Sequence, residues 1–184
     1  GYQVVPHTRF NIAWSTIISD IDLLCCKDNK LIYIEVKSSK DNIRRAENQI
    51  MNIISYIDYA YVATDYSPKK FKPILLDEIG LIVVKDGKIT IEKEAELLDK
   101  QIGFNDFGEL QKDCLRRFAG ITSILHTPNY TKEQLVEMIM KRHKTDLKLK
   151  VQSILTCPMQ DCSNECPTWK LMSMHNDSLD RFRS

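Results

Sequence analysis

Two apolar runs joined by a polar turn occupy residues 17–36. The first run reads IISDIDLLCC, the second reads LIYIEV, and Lys27-Asp28-Asn29-Lys30 separates them. Apolar runs of this length, bounded by turn residues, are typical of buried strands, and the short polar linker favours a β-hairpin. We therefore predict two neighbouring strands in the middle of a sheet.

Charged side chains interrupt this apolar pair. Glu35 and Lys37 are two positions apart, so a strand directs both of them to the same face. With the turn at residues 27–30, Asp22 on the first strand lies near the level of Glu35. Unpaired carboxylates in apolar surroundings cost several kcal/mol, whereas a Glu-x-Lys step on an exposed strand is a common solvated pattern. The apolar context favours a cation site, with Asp20 as the alternative to Asp22.

A magnesium ion would compensate the two carboxylates. Magnesium takes hard oxygen ligands. Asp22, Glu35 and the backbone carbonyl of Val36 are therefore enough protein ligands for it, with water and substrate oxygens as the others. Magnesium or manganese polarises a scissile phosphate and lowers the pKa of a bound water. Lys37 can then position the attacking water or offset the negative charge of the transition state. The pattern predicts phosphodiester hydrolysis.

Strand-like and helix-like patterns alternate over the first hundred residues, which is typical of an α/β layer structure. Apolar residues at spacings of three and four predict a helix that runs from Ile43 to Ile57, with Ser39 or Asp41 as its cap. The later sequence favours helices, one of them opened by the capping-box pair Thr131 and Gln134. We predict a core over residues 1–100 and a helical C-terminal region over residues 101–184. Further strands are predicted at residues 2–5, 60–64, 80–84 and 88–91, and a helix around residues 109–124.

The stretch IDLL, a spacer and IEVKSS resembles the PD-(D/E)XK nucleases, in which an Asp on one strand and Glu-x-Lys on the next form the catalytic site. SYIDYAYVAT followed by DEIGLIVVKDGKITIEKEA is similar to the MmcB-like DNA-repair nucleases. The resemblance implies a restriction-endonuclease-like fold, an α/β structure with a mixed central sheet flanked by helices. It assigns Asp22, Glu35 and Lys37 to catalysis, and it implies a metal on Asp22, Glu35 and Val36.

The same resemblance suggests one further polar residue. Gln49 matches the helix residue that some of these nucleases direct at the site, although Ile53 stands where the RecB-type spacing has Tyr. The acidic helix that usually precedes the first strand is not visible. Because the chain opens with Gly1 rather than Met, an upstream helix remains an open alternative.

Basic residues follow the Glu-x-Lys step. Lys40, Arg44 and Arg45 gather at the start of the predicted helix, where phosphates would meet both cations and helix N–H groups. His7 and Arg9 can add to the rim. We expect these residues to contact DNA, and the alternative is that the arginines form the solvated face of an amphipathic helix.

Three cysteines near the C-terminus have C-x4-C-x3-C spacing. Cys157, Cys162 and Cys166 can close around one metal centre, and Cys114 can supply a fourth thiolate. The cluster resembles that of Fe-S nucleases of the CRISPR-associated and RecB-like type, although those use C-x2-C-x5-C. This favours a four-iron (4Fe-4S) cluster slightly over zinc, and free thiols are the third alternative. Spare zinc-ligand candidates are His143 and His175.

Composition limits the partners of the chain. The formal net charge of +1, from 26 basic and 25 acidic residues, means that DNA binding must rest on a local basic patch. No apolar run approaches the length of a membrane span, so we expect an intracellular, cytoplasmic protein. We predict a DNA nuclease of repair, recombination or mobile-element processing. The alternative is a catalytically inactive nuclease-like module that binds DNA or protein and is stabilised by zinc or an Fe-S cluster.

Overall fold

The strands and helices follow the alternating pattern of the sequence. In the computed structural model, residues 1–12, 15–28, 30–67, 76–121, 124, 127 and 129–156 are described. The strands are β1 (Gln3–Ile12), β2 (Ser15–Lys27), β3 (Lys30–Lys37), β4 (Tyr59–Thr64), β5 (Gly80–Lys85) and β6 (Lys88–Lys93). The helices are α1 (Ile43–Met51), α2 (Phe104–Gly108), α3 (Lys112–Ile121), α4 (Lys132–Arg142) and α5 (Leu147–Thr156).

The strands form one mixed sheet in the order β1-β2-β3-β4-β5-β6. The β2–β3 and β5–β6 pairs are antiparallel, whereas β4 is parallel to both of its neighbours. Helix α1 connects the parallel strands β3 and β4 and packs against β3. The α/β class and the predicted mixed sheet are therefore confirmed, and β3 lies in the interior of the sheet.

The β2–β3 pair is the predicted hairpin. Its register pairs Lys27 with Lys30 and continues to Leu23 opposite Ile34. Asp28 adopts a φ of 50° in the turn, a conformation that Asp and Asn tolerate better than most residues. The tight turn fixes which residues of β2 and β3 face each other, and it thereby aligns the polar positions of the two strands.

Helix α1 starts at Ile43, where the apolar pattern begins, but neither Ser39 nor Asp41 is its cap, and it ends earlier than predicted. The Asn42 side chain caps it by accepting from the Arg44 N–H at 3.0 Å, and the helix stops at Met51. Turns follow, with Tyr56 donating its backbone N–H to Ile53. The predicted apolar stripe continues to Ile57 because these turn residues are also buried in the core.

Asp58 joins the start of β4 to the start of β3. Its backbone N–H donates to the Leu31 carbonyl at 2.9 Å, and its Oδ2 accepts the Leu31 N–H at 2.9 Å. Its other oxygen pairs with Lys30 Nζ at 3.3 Å. These bonds hold the parallel register, in which Glu35 lies beside Val62 and Lys37 beside Thr64.

The chain divides into two compact units. The first contains residues 1–10 and 18–101, and the second contains residues 11–17 and the chain from residue 102. In the second unit α3 and α2 both pack against α4, and the Phe107 and Phe118 rings meet edge to face at 5.1 Å. The predicted capping box of Thr131 and Gln134 opens α4. None of the described helices has both the length and the apolar composition of a membrane span.

Candidate active site

Strand β3 directs three polar side chains to one buried face. Tyr33, Glu35 and Lys37 are alternate residues, and their exposed fractions are 0%, 1% and 8%. The residues between them face the opposite side of the sheet, where Val36 is 47% exposed. A carboxyl group and an amine are thus held almost completely away from water in the interior of the sheet.

Both oxygens of Glu35 accept hydrogen bonds from the same strand. The Tyr33 hydroxyl donates to Oε2, and the Lys37 ammonium donates to Oε1. Donors of this kind replace the water that a buried carboxylate loses. Burial raises the pKa of the Tyr33 phenol far above its ordinary value, and the hydrogen bond to Glu35 and the charges of Glu35 and Asp22 raise it further.

Asp22 lies next to this group on β2. The antiparallel register sets it opposite Glu35, one step beyond the last paired residues, Leu23 and Ile34. Opposite residues of an antiparallel pair point to the same face with Cβ atoms about 5 Å apart. The half-buried Asp22 accepts the Val36 N–H on Oδ2 at 2.8 Å. This bond fixes the Asp22 carboxylate against the backbone of β3 beside Glu35.

The oxygen donors of Asp22 and Glu35 are of the kind that divalent cations bind. Asp22 uses one carboxylate oxygen for the Val36 N–H, and its Oδ1 accepts no hydrogen bond from the described residues. Glu35 adds two further carboxylate oxygens, both of which accept the hydrogen bonds from Tyr33 and Lys37, and hard oxygen donors are what Mg²⁺ and Mn²⁺ prefer. The described residues contain no group of three or more His, Cys, Asp or Glu side chains that could hold a metal ion. A cation here would therefore rest on two carboxylates, completed by backbone, water or substrate oxygens.

The loop after Lys37 is fixed by its own hydrogen bonds. Asp41 accepts the backbone N–H and the hydroxyl of Ser38, both at 2.7 Å, and these bonds lower the pKa of the Asp41 carboxyl. The Tyr66 hydroxyl, beyond the end of β4, donates to the Ser39 carbonyl. The loop therefore leads from Lys37 into α1 along a defined path.

The predicted DNA-contacting residues lie on this loop and on the first turn of α1. Lys40, Arg44 and Arg45 are all exposed. Gln49 lies farther along α1 and is half-buried, and its Oε1 is buried with no hydrogen-bond partner among the described residues. The helix thus carries cations at its start and an unsatisfied amide oxygen near its C-terminal end.

The predicted cysteine cluster falls largely outside the described residues. Cys114 is buried on α3, whereas the three other members, Cys157, Cys162 and Cys166, lie beyond residue 156. His143 is buried after α4, with Nδ1 3.2 Å from Asp146. Four further candidates from the sequence lie outside the described residues or have side chains that are not described. They are His7, Arg9, Asp20 and His175.

Sequence reasoning missed Tyr33. The signal was present, because Tyr33 is two positions before Glu35 and so belongs to the same strand face as Glu35 and Lys37. Its apolar ring made it read as an ordinary core residue. Only the buried contact shows that its hydroxyl serves the carboxylate.

Comparison with known proteins adds little. No protein-family model and no curated protein matches the sequence. A protein of unknown function from Silicibacter pomeroyi is similar in structure, with a TM-score of 0.41 and 20% sequence identity over 67% of this chain and 75% of that chain. A similarity at this level does not indicate a function.

Proposed function

We propose that this chain is a divalent-metal-dependent nuclease of the PD-(D/E)XK type, with a restriction-endonuclease-like core, that hydrolyses phosphodiester bonds in DNA. One observation carries the proposal: Asp22 and the buried Glu35 lie opposite each other on adjoining strands, with Lys37 bonded to Glu35. Carboxylates that can bind a divalent cation, with an ammonium beside them, are groups that can catalyse phosphodiester hydrolysis. The substrates would arise in DNA repair, recombination or mobile-element processing.

Asp22 and Glu35 would hold Mg²⁺ or Mn²⁺, with the Val36 carbonyl as a third protein ligand. The cation, when bound, supplies positive charge to a phosphate and polarises its phosphorus–oxygen bonds. Burial of Glu35 keeps its carboxylate in place, since the donors around it leave little rotational freedom. The hydrogen bond from Val36 does the same for Asp22.

Lys37 would act on the reacting phosphate. Its ammonium lies beside Glu35 and can offset the negative charge that develops as the phosphodiester is attacked, or orient the attacking water. Gln49 is a candidate for accepting a hydrogen bond from the attacking water, because its buried Oε1 has no partner among the described residues. Lys40, Arg44 and Arg45 would bind the phosphate backbone, which needs exposed cations rather than base-specific groups.

The experiment is a cleavage assay with single-stranded and double-stranded DNA, with and without Mg²⁺ or Mn²⁺. We expect metal-dependent cutting by the wild type, and a loss of at least about a hundredfold in Glu35→Gln and in Lys37→Ala. Lys88→Ala, at an exposed position on β6, is the matched control and should cut like the wild type. A Lys37→Ala protein that cuts at the wild-type rate would refute the site.

A second function is favoured by the internal neutralisation of Glu35. Because Tyr33 and Lys37 already satisfy the carboxylate, the same geometry suits a catalytically inactive module that binds DNA or a protein partner. Such a module would bind DNA without cleaving it under any metal condition. Wild-type protein that binds DNA through Arg44 and Arg45 yet leaves all substrates intact would select this alternative.

We propose in addition that Cys114, Cys157, Cys162 and Cys166 hold a structural metal centre, either a 4Fe-4S cluster or zinc. Four thiolates suit both. Visible absorbance and metal analysis of full-length, anaerobically purified protein separate the two. A brown protein with stoichiometric iron selects the cluster, a colourless one with stoichiometric zinc selects zinc, and metal-free protein contradicts both.

A further inference from the structure

Glu35 is neutralised from within the protein. The Lys37 ammonium donates to Oε1 while the Tyr33 hydroxyl donates to Oε2, and all three groups are more than nine-tenths buried. Burying an ammonium and a carboxylate is tolerable only when they pair, because each loses its hydration. We therefore expect the Lys37 ammonium to stay paired with the Glu35 carboxylate unless another cation binds there.

A divalent cation and the Lys37 ammonium would both bind the carboxylate of Glu35. Both are positively charged, and both need a carboxylate oxygen. Two cations held at one small buried carboxylate repel each other strongly, because screening by water is weak there. The Tyr33 hydroxyl is uncharged and donates to the other oxygen, so it does not oppose the cation.

We propose that Lys37 and the divalent cation compete for Oε1 of Glu35, so that the cation, on binding, releases Lys37 from Glu35 while Tyr33 stays on Oε2. Lys37 then reaches the substrate phosphate only when the cation is in place. The inference rests on the proposed function in one respect, namely that Glu35 is a ligand of the cation. It predicts that the affinity for the cation is low, because the cation must displace Lys37 as well as bind the carboxylates.

The test is the binding of Mn²⁺ to full-length protein in the absence of DNA, measured by titration calorimetry. Lys37→Gln removes the charge and keeps a side-chain donor, and we expect it to bind Mn²⁺ about tenfold or more tightly than the wild type. Lys37→Arg keeps the charge and should not bind more tightly. Lys88→Gln makes the same change of charge at an exposed site and should match the wild type. Glu35→Gln should lose the binding.

A second measurement needs no variant. In the wild type, addition of Mg²⁺ should shift the side-chain NMR signals of Lys37 and speed the exchange of its ammonium protons, because the ammonium leaves the buried carboxylate. Lys30, which pairs with Asp58 at the other end of β3, provides the internal reference and should not respond. This covers the case in which Lys37→Gln does not fold.

The outcomes separate this inference from the nuclease proposal. Equal or weaker Mn²⁺ binding by Lys37→Gln, with an unresponsive Lys37 signal, overturns the competition even if the wild type cuts DNA. Tighter binding by Lys37→Gln supports the competition even if no DNA is cut, which instead overturns the nuclease. Absence of Mn²⁺ binding in the wild type and in Lys37→Gln overturns both.

Discussion

Glu35 is the residue whose hydrogen-bond donors are hardest to replace. It is 1% exposed, and its two neighbours on the same strand face supply its hydrogen bonds. Removing one partner leaves a buried oxygen without its donor, and that loss exceeds the net gain from making an ordinary hydrogen bond. Each donor to Glu35 should therefore contribute measurably to folding, independently of any role in catalysis.

Removal of the Tyr33 hydroxyl should destabilise the fold. In Tyr33→Phe the ring still fills its place in the core, but Oε2 of Glu35 loses a donor, and we expect the free energy of unfolding to fall by about 1–3 kcal/mol. Chemical denaturation at neutral pH measures the change. The control is Tyr59→Phe on β4, because the Tyr59 hydroxyl makes no hydrogen bond to the described residues. Equal stability of Tyr33→Phe and the wild type would contradict the buried contact.

The Asp41 carboxyl should report on the loop that follows Lys37. Two bonds from Ser38 hold the pKa of Asp41 below its ordinary value, with the hydroxyl bond as the larger cause. The carboxylate therefore contributes stability above the pKa that Asp has in the unfolded chain, and this contribution is lost as pH falls through the lower folded pKa. Ser38→Ala removes the hydroxyl donor and should raise the pKa of Asp41 toward the ordinary value.

Carbon-detected NMR titration of the Asp41 carboxyl measures this shift directly. Ser39→Ala is a suitable control, because Ser39 engages Tyr66 through its backbone carbonyl and not through its hydroxyl. The titration midpoint of Asp41 should stay low in Ser39→Ala and rise in Ser38→Ala. A midpoint that is the same in both variants would mean that the Ser38 hydroxyl does not hold the carboxylate in solution.

At the level of elements, the sequence predicted those features that depend on local patterns. The hairpin of β2 and β3 follows from two apolar runs and a polar turn, and the start of α4 follows from the spacing of Thr131 and Gln134. The alternation of residues in β3 was enough to place Glu35 and Lys37 on one face. These features depend on chain neighbours and strand geometry, which a sequence displays directly.

Three features that depend on tertiary contacts were not predicted. Helix α1 ends at Met51 although apolar residues continue to Ile57, since residues in turns can be buried as well as residues in helices. The short helix α2 was missed because five residues show no clear period. The hydrogen bond from the Tyr33 hydroxyl to Glu35 was missed, because a sequence does not show which tyrosine hydroxyls are buried against a carboxylate.

Two glycines of the β5–β6 hairpin, one in strand β5 and one in the turn, should respond differently to substitution. A Cβ at Gly80 would overlap ring atoms of Tyr61 and lie 2.8 Å from the backbone nitrogen of Ala95, so Gly80→Ala should cost about 1–3 kcal/mol through overpacking. Gly87, in the turn, has a φ of 74° and open space around it, so Gly87→Ala should cost about 1–2 kcal/mol through backbone strain alone.

Substitution by Asn separates the two causes. Asn tolerates the left-handed conformation, so Gly87→Asn should recover much of the stability that Gly87→Ala loses. Asn is larger than Ala, so Gly80→Asn should be less stable than Gly80→Ala. Thermal or chemical denaturation of the four variants tests this ordering. Rescue by Asn at position 80 would show that backbone conformation, and not the Tyr61 contact, requires glycine there.

At the level of the whole molecule, a net charge of +1 provides almost no general attraction to DNA. If the chain binds DNA as proposed, the binding must come from a few local cations, and Lys40, Arg44 and Arg45 are exposed beside the strand end that carries Glu35 and Lys37. Each cation that contacts a phosphate releases a counterion, so the salt dependence of binding counts these contacts. Binding that rests on a few such contacts should lose a visible part of its salt dependence when two of them are removed.

The double variant Arg44→Ala/Arg45→Ala should therefore weaken DNA binding and flatten its salt dependence. We expect the slope of log K against log salt for duplex DNA to fall in magnitude by about 2, because two phosphate contacts are lost. Measurements without divalent cations keep the DNA intact. Lys85→Ala/Lys88→Ala makes the same change of net charge at exposed positions on β5 and β6 and should leave the slope unchanged. If both double variants lower the slope equally, binding follows net charge, and the start of α1 is not the DNA-binding surface.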